Sequence, residues 1–250
     1  MFIPIKTKEE ISVMREGGKI LATVLEEVLA QAKPGVSTAH LDRFAEARIK
    51  EKGGKPGFKG YRGFPSTLCT AINEVIVHGI PSDDQILKEG DLFTVDCGVI
   101  YKDMYTDAAR SIAIGEVDSN KKRLIKTAHL ALQNGINAAQ PGNKINEIGR
   151  AIQTTVEKEG FKIIYDLTGH GIGKKLHEKP VVLNYFQNRS SQTLQPGMTI
   201  AIEPIFSVGT TQMRTLPDNW TIITSDRSPS VQQEETVLIT KTSNEVLTKV

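Results

Sequence analysis

The feature that most constrains the fold is an internal repeat at a constant offset of 107 residues. The segment AKPGVSTAHLDRFAEARIKEKG, which begins at Ala32, aligns without a gap on AQPGNKINEIGRAIQTTVEKEG, which begins at Ala139. The same offset aligns LKEGDLFTVD, which ends at Asp96, on LQPGMTIAIE, which ends at Glu203. Pro-Gly stops are common, but a second segment in the same register with an acid at its end is not. So long a period excludes a solenoid. The repeat therefore predicts two halves with approximate two-fold symmetry, with Asp96 and Glu203 facing each other across the centre.

Hydrophobic periodicity predicts four helices, and alternation predicts several strands between them. The first helix begins with the capping box Thr7 to Glu10 and runs to about Ala32. The other helices are predicted at 38–52, 119–139 and 145–159. Strands are predicted at 71–77, 92–95, 106–114, 162–167, 199–206, 221–224 and 235–240, with irregular chain between them. We therefore expect an α+β fold with antiparallel sheets and helices on the outer face. It forms a single domain of residues 1–250, whose halves span about 7–115 and 116–250.

Composition excludes several classes of protein. The net charge of +2 gives no support to binding of nucleic acid or of an anionic membrane. No apolar run is long enough to span a bilayer, and the N-terminus MFIPIKTKEE lacks the pattern of a signal peptide. Cys69 and Cys97 do not have the spacing of a metal site. We expect a cytoplasmic protein with no membrane and no specific nucleic-acid partner.

Two aspartates mark a predicted hairpin between residues 91 and 115. Asp96 ends its first β-like run and Asp107 begins the second, so both are expected at one end of the hairpin. Aspartate is a poor strand residue, and two ionised carboxylates repel each other unless a cation lies between them. An ordinary turn residue is the alternative for either acid alone. An EF-hand is excluded because Gly98 and Ile100 stand where oxygen ligands should alternate.

Three further residues complete a candidate metal site. His170 lies within TGHGIG, where the glycines permit close approach of backbone and access for solvent or substrate, but no dinucleotide-binding unit surrounds it. Glu203 ends an apolar strand, which is a costly place for an unpaired charge, and Glu234 precedes another. Four carboxylates and one imidazole suit a pair of divalent ions, as in two-metal hydrolases. A HExxH site is excluded because the segment from His177 to Val181 lacks the second histidine.

The chain closely resembles the bacterial type I methionine aminopeptidases, metallopeptidases of family M24. The resemblance covers essentially the whole chain and rests on the five ordered acid and histidine residues and on four motifs: NEVIVHGIP (73–81), TGHGIG (168–173), LHEKP (176–180) and IEP (202–204). It implies the pita-bread fold and two divalent metal ions, which could be Co, Mn, Fe, Zn or Ni. One ion would be held by Asp107, His170, Glu203 and Glu234, and the other by Asp96, Asp107 and Glu234.

The resemblance also implies the reaction and the roles of individual residues. The reaction is removal of the initiator methionine from nascent proteins when the second residue is small, through attack of a metal-bridging hydroxide on the scissile carbonyl. Glu203 is the implied proton shuttle, His177 stabilises the oxyanion and His78 contacts the scissile amide. Plain core packing is the alternative reading of each aromatic wall residue. The implied walls of the methionine pocket, which suit a flexible thioether, are Phe58, Tyr61, Phe64, Cys69, Leu176 and Trp220.

The family resemblance further implies N-terminal peptides of nascent proteins as partners, action near the ribosome exit, and a monomer. One position departs from the family pattern, because Glu235 stands where most members have histidine. Strand alternation predicts that Glu235 points away from Glu234, and the register of the following TVLI run favours Glu234 as the ligand. Two alternatives stay open: a proline-directed relative of the prolidase or aminopeptidase P kind, and a non-catalytic pita-bread protein that binds peptides.

Overall fold

The computed structural model describes residues 3–188 and 191–249. Its helices are α1 (Lys8–Gln31), α2 (Thr38–Glu51), α3 (Ser119–Ala138) and α4 (Asn146–Lys158), with a short 3-10 helix at Tyr61–Gly63. Its strands are β1 (Lys55–Pro56), β2 (Leu68–Ile72), β3 (Val75–Val77), β4 (Leu92–Tyr101), β5 (Met104–Ala113), β6 (Lys162–Ile163), β7 (Gly169–Gly171), β8 (Glu178–Val182), β9 (Thr199–Ile202), β10 (Ile205–Ser207), β11 (Met213–Thr215), β12 (Ile222–Thr224), β13 (Ser230–Gln232), β14 (Glu235–Ile239) and β15 (Asn244–Val246). Among these residues, no helix has the length and apolar character needed to cross a membrane.

The predicted helices are confirmed to within one or two residues at most ends. At the start of α1, the Thr7 hydroxyl accepts from the Glu10 amide at 3.2 Å. The Glu10 carboxylate accepts from the Thr7 amide at 2.8 Å. This reciprocal pair is the predicted capping box, and it satisfies amides that have no partner inside the helix. Local sequence signals therefore explain where this helix begins.

The strands form four antiparallel sheets. Their orders are β1-β4-β2 with β5 paired to β4, then β15-β14-β9-β7-β8, β13-β10-β6 and β11-β12-β3. Ala109 in β5 and Glu234, just before β14, exchange backbone hydrogen bonds of 3.3 and 3.0 Å. This exchange joins a sheet of the first half to a sheet of the second, so the α+β architecture with joined sheets is confirmed.

Equivalent elements recur at the predicted offset. The 107-residue separation relates the ends of α1 and α3, the ends of α2 and α4, and the starts of β1 and β6. It also relates two isolated bridges, Ser37 to Ile86 and Lys144 to Thr193. The turn glycines Gly35 and Gly142 share a left-handed backbone, with φ of 89° and 90°. The repeat is therefore present in the structure as well as in the amino-acid sequence.

Strand β4 separates a helix-facing core from the face that carries acids. Phe93, Val95 and Cys97 are buried in a cluster with α1 and α2. Because successive strand residues point to opposite faces, Thr94 and Asp96 lie on the other side. A second cluster packs α3 and α4 against the strands of the second half. The helices therefore cover the outer face and leave the opposite face for the candidate site.

The position predicted for the two aspartates in the hairpin was wrong. Both lie within its strands, because β4 and β5 are ten residues each and turn at Lys102 and Asp103. The register pairs Gly98 with Asp107 and Asp96 with Ala109, so the two aspartates are diagonal neighbours on one face. Aspartate has a low strand propensity, but the hydrogen-bond ladders that join β4 to β2 and to β5 continue past both acids and override it.

Other strand boundaries also differ from the prediction. The strand predicted at 71–77 is two strands, β2 and β3, separated by a turn at Asn73, whose φ is +52°. The strand predicted at 199–206 is interrupted after Ile202, because Pro204 has no amide to donate. The one predicted at 162–167 ends at Ile163. The chain predicted to be irregular contains further short strands, namely β1, β7, β8, β11, β13 and β15.

Candidate metal centre

The residues that the sequence suggested for the site meet in one cavity of about 310 Å³. The side chains come from both halves, as the repeat predicted for Asp96 and Glu203. The suggested residues that line the cavity are Phe58, Tyr61, Phe64, Cys69, His78, Asp96, Asp107, His170, Leu176, His177, Glu203, Trp220 and Glu234.

The acids and His170 form a cluster whose donor set fits divalent ions. Asp107, His170 and Glu234 offer ligand atoms that all lie within 4.8 Å of one another. The His170 Nε2 atom lies 3.6 Å from Glu203 Oε1. Asp96, Asp107 and Glu234 each have a buried carboxylate oxygen without a hydrogen-bond partner among the described residues. Such oxygens are costly to bury, and several of them beside one imidazole suit a divalent cation.

The clustering also shifts the pKa of every acid in the group. Burial raises the pKa of Asp96 to about 7. Burial raises the pKa of Asp107, Glu203 and Glu234 well above the ordinary value, and neighbouring carboxylates add to the effect. Ionising all four acids together is therefore unfavourable unless positive charge is present. The raised pKa values of the four acids and the set of carboxylate and imidazole ligand atoms therefore both favour a site for cations.

Strand β7 orients the His170 ring. The Nδ1 atom lies 2.9 Å from the carbonyl oxygen of Gly171. Because a carbonyl only accepts, Nδ1 carries the hydrogen and the lone pair of Nε2 is free for a metal. A Cβ atom at Gly169 would lie 2.3 Å from Ala201 O, and one at Gly171 would lie 2.1 Å from Lys179 O. The glycines thus allow neighbouring backbone to approach, which was one of the two roles predicted for them.

Glu234 and Glu235 point to opposite sides of the sheet, as alternation predicted. Glu234 lines the cavity with the other acids. The Glu235 carboxylate instead accepts from Arg110 Nη2 at 2.8 Å and from the Thr248 hydroxyl. Arg110 Nη1 donates to the Glu234 carbonyl at 2.7 Å. The residue that departs from the family pattern therefore lies behind the site, where its ion pair supports the backbone of Glu234.

An aromatic and aliphatic wall lies beside the acids. Phe64 and Trp220 meet edge to face, with ring centroids 5.1 Å apart. The Tyr61 hydroxyl lies 3.0 Å from His177 Nδ1. Phe58, Phe64, Cys69 and Leu176 are buried in one cluster. These side chains pack together as core residues do, and they also present one surface to the cavity.

Two histidines outside the ligand group face the same cavity. His78 has a left-handed backbone with φ of +59°, and Gly79 follows it where a Cβ would lie 2.0 Å from Thr70 O. Burial lowers the pKa of His78. Burial and the neighbouring His170 lower the pKa of His177 to about 4. Both rings are therefore neutral at pH 7, and each has one donor and one acceptor nitrogen.

Sequence reasoning missed several lining residues. Gln232 Nε2 lies 3.4 Å from Glu234 Oε2, and alternation from Glu234 could have predicted it. The others are Arg62, Val77, Asp166, Leu167, Thr168 and Ile205. Of these, Val77 and Thr168 lie within the family motifs but were not singled out, and the remaining four lie outside those motifs.

Known proteins resemble this chain over nearly its full length. The profile of metallopeptidase family M24 matches residues 12–241. Methionine aminopeptidase of Clostridium acetobutylicum is 44% identical over 246 residues, 98% of each chain. Methionine aminopeptidase 1 of Bacillus subtilis is 40% identical over 245 residues, also 98% of each chain. These matches have the length and identity expected of one family.

Solved structures show the same relationship. Methionine aminopeptidase from Thermotoga maritima superposes with a TM-score of 0.98 at 38% identity, over 100% of both chains. Prolidase from Pyrococcus furiosus superposes with a TM-score of 0.79 at 25% identity, over 98% of this chain but 65% of its own. The shared architecture is the pita-bread fold that the resemblance implied. The chain belongs to metallopeptidase family M24 and, within it, to the methionine aminopeptidases.

Proposed function

We propose that this chain removes the N-terminal methionine from peptides and nascent proteins whose second residue is small. The observation that carries the proposal is that a buried acid and histidine cluster shares one cavity with an aromatic and aliphatic pocket. The cluster supplies hydrolytic chemistry and the pocket suits an unbranched thioether. The relatives named methionine aminopeptidase support the same activity. The requirement for a small second residue comes from the family resemblance.

The acid cluster would hold two divalent ions. Asp107, His170, Glu203 and Glu234 would bind one ion, and Asp96 would join Asp107 and Glu234 at the other. When bound, such ions polarise a carbonyl oxygen and lower the pKa of a coordinated water. The mixed carboxylate and imidazole set accepts Co, Mn, Fe, Zn or Ni.

Glu203 is suited to carry a proton during the reaction. Burial and the charges of Asp107 and Asp96 raise the pKa of Glu203. A carboxyl whose pKa is raised by its surroundings accepts a proton more readily than an ordinary one, and the proton-transfer role itself follows from the family resemblance. We therefore assign to Glu203 both a ligand role and the transfer of a proton from water to the leaving amine.

His177 and His78 would contact the reacting amide. If the Tyr61 hydroxyl donates to His177 Nδ1, the hydrogen of that neutral ring lies on Nε2 and can be donated to the scissile carbonyl oxygen. His78 is held by its constrained backbone on the pocket side, near Trp220, with ring centroids 6.3 Å apart. We assign it a contact with the scissile amide or its leaving nitrogen.

The family resemblance extends the proposal to the cellular setting. The chain would act as a monomer in the cytoplasm, on nascent chains near the ribosome exit.

The test is hydrolysis of Met-Ala-Ser and Ala-Pro-Ser by metal-stripped protein to which Mn, Co or Fe is added back. We expect release of methionine only, and only with metal. Cleavage before proline would assign a proline-directed activity, and binding of metal without any cleavage would favour a peptide-binding protein. Asp107→Asn should abolish turnover while the protein stays folded. Its matched control, Asp103→Asn, changes an exposed acid in the turn of the same hairpin and should retain activity.

A further inference from the structure

A second cavity, of about 760 Å³, opens beside the candidate metal centre. Thr168, His170 and His177 line both cavities, so the two spaces meet at the acid and histidine cluster. Residues 4–6 and strand β8 line the second cavity away from this junction. If the first side chain of a peptide fills the aromatic pocket, the residues after the scissile bond must leave the first cavity. The second cavity begins at His177, to which we assign a contact with the scissile carbonyl oxygen, so it could receive them.

The wall formed by β8 is suited to an extended peptide. This strand is an edge of its five-stranded sheet and pairs only with β7 among the described strands. Its centre is Pro180, which has no amide to donate, so a bound peptide would contact the side chains of this strand and would not pair along its whole backbone. Val181 on this strand and Ile5 in the N-terminal segment are each 46% exposed, so large apolar side chains line the same space.

The charges that line the cavity do not cancel. Lys6 pairs with Glu178 at 2.6 Å, with both side chains almost fully buried. Lys174 pairs with Glu10 at 2.7 Å. In contrast, Lys175 and Lys179 form no ion pair with any residue between 3 and 188 or between 191 and 249. Two exposed ammonium groups therefore remain to meet an anionic ligand.

We propose that this cavity binds the substrate residues that follow the scissile bond, and that Lys175 and Lys179 favour acidic side chains among them. The inference rests on the proposed function and adds a substrate class to it: N-terminal peptides with Asp or Glu in the third to fifth positions. An extended peptide advances about 3.3 Å per residue, so successive side chains sample the length of the cavity. Charge complementarity of this kind acts mainly on encounter and selectivity.

The test compares kcat/KM for Met-Ala-Ser-Glu-Glu-Ser and Met-Ala-Ser-Lys-Lys-Ser at low ionic strength, where surface charges are least screened. The metal-loaded protein should prefer the acidic peptide about threefold to tenfold, as expected for two exposed charge pairs. The double substitution Lys175→Glu with Lys179→Glu should remove or reverse this preference. An unchanged ratio in that variant would overturn the inference.

A matched variant separates the cavity from the overall charge of the protein. Lys126→Glu with Lys158→Glu makes the same charge change at exposed positions on α3 and α4, away from both cavities. Its ratio should equal that of the wild type, and an equal loss of preference would attribute the effect to net charge and overturn the inference. The wild type must also hydrolyse Met-Ala-Ser. Failure there would refute the proposed function and the inference together, whereas the ratio alone tests the inference.

Discussion

Without metal in the acid cluster, the protein should become less stable as pH rises. In the folded protein, burial raises the pKa of Asp96 to about 7, against 3.8 ordinarily. The pKa values of Asp107, Glu203 and Glu234 are raised further by their neighbours. Above pH 4.5, the metal-free folded state therefore holds protons that the unfolded chain has released. Its free energy of unfolding should decrease as pH rises.

The decrease in the free energy of unfolding is best measured between pH 6.5 and 7.5. Outside this range, the titration of other groups opposes or hides it more strongly. Burial lowers the pKa of His78, His129, His170 and His177 below 6.5, so the stability linked to these four rings rises with pH and partly offsets the loss until the unfolded histidines have released their protons, about one pH unit above 6.5. Surface acids such as Glu27 have a lowered pKa from ion pairs with arginine, and that contribution is lost only below about pH 4.5. The buried thiols, whose pKa is raised above 9.0, begin to matter only at higher pH.

The size of the effect follows from the protons that the cluster retains. Each retained proton changes the free energy of unfolding by about 1.4 kcal/mol per pH unit. For a chain of 250 residues this corresponds to roughly 3–6 °C in Tm. Because three acids have a pKa well above the ordinary value, their loss of stability should exceed the gain from the histidines, and the Tm of the chelated protein should fall by at least about 3 °C between pH 6.5 and 7.5. With Mn²⁺ bound, the carboxylates are ionised at both pH values and the change should be much smaller.

Thermal unfolding measured by circular dichroism, with chelator or with Mn²⁺ at each pH, tests this reasoning. Asp107→Asn removes one member of the cluster and should reduce the pH dependence of the chelated protein, whereas Asp103→Asn should leave it unchanged. A Tm of the chelated wild type that stays constant or rises from pH 6.5 to 7.5 would refute the claim that the cluster holds protons in place of metal.

Two further predictions concern residues that support the site without lining it. Glu235→Ala leaves the half-buried Arg110 without its carboxylate and should lower the free energy of unfolding by about 3 kcal/mol, or the Tm by roughly 6–12 °C. The control Glu245→Ala removes an exposed ion pair and should lower the free energy of unfolding by less than about 1 kcal/mol in the same thermal unfolding assay. A loss in Glu235→Ala no larger than in the control would contradict a supporting role for this pair. Gly171→Ala places a Cβ 2.1 Å from Lys179 O and should displace the strand that carries His170, so Mn²⁺ affinity measured by calorimetry should fall at least tenfold. Wild-type affinity in that variant would show that β7 tolerates the displacement.

Much of the site could be predicted from the sequence because its signals are local or repeated. The capping box and Pro-Gly stops placed the helix ends, since capping and turn chemistry depend on neighbouring residues. The constant offset paired Asp96 with Glu203 before any contact was known. Strand alternation separated Glu234 from Glu235 because side chains on a strand reverse direction at each residue. The family resemblance supplied His78, His177 and the pocket residues, all of which line the cavity.

Tertiary structure alone decided the features that depend on distant parts of the chain. Asp96 and Asp107 lie within long strands because the ladders of β4 with β2 and of β4 with β5 outweigh the poor strand propensity of aspartate. The TGHGIG pattern predicted a close approach of backbone to the glycines beside His170, but only the fold shows that Ala201 and Lys179 are the residues that approach. The sequence by itself thus determined the repeat, the helices and the identity of the candidate ligands. Only the packed fold determined their geometry, the ion pair behind Glu234 and the cavity beside the metal centre, because each depends on contacts between residues far apart in the chain.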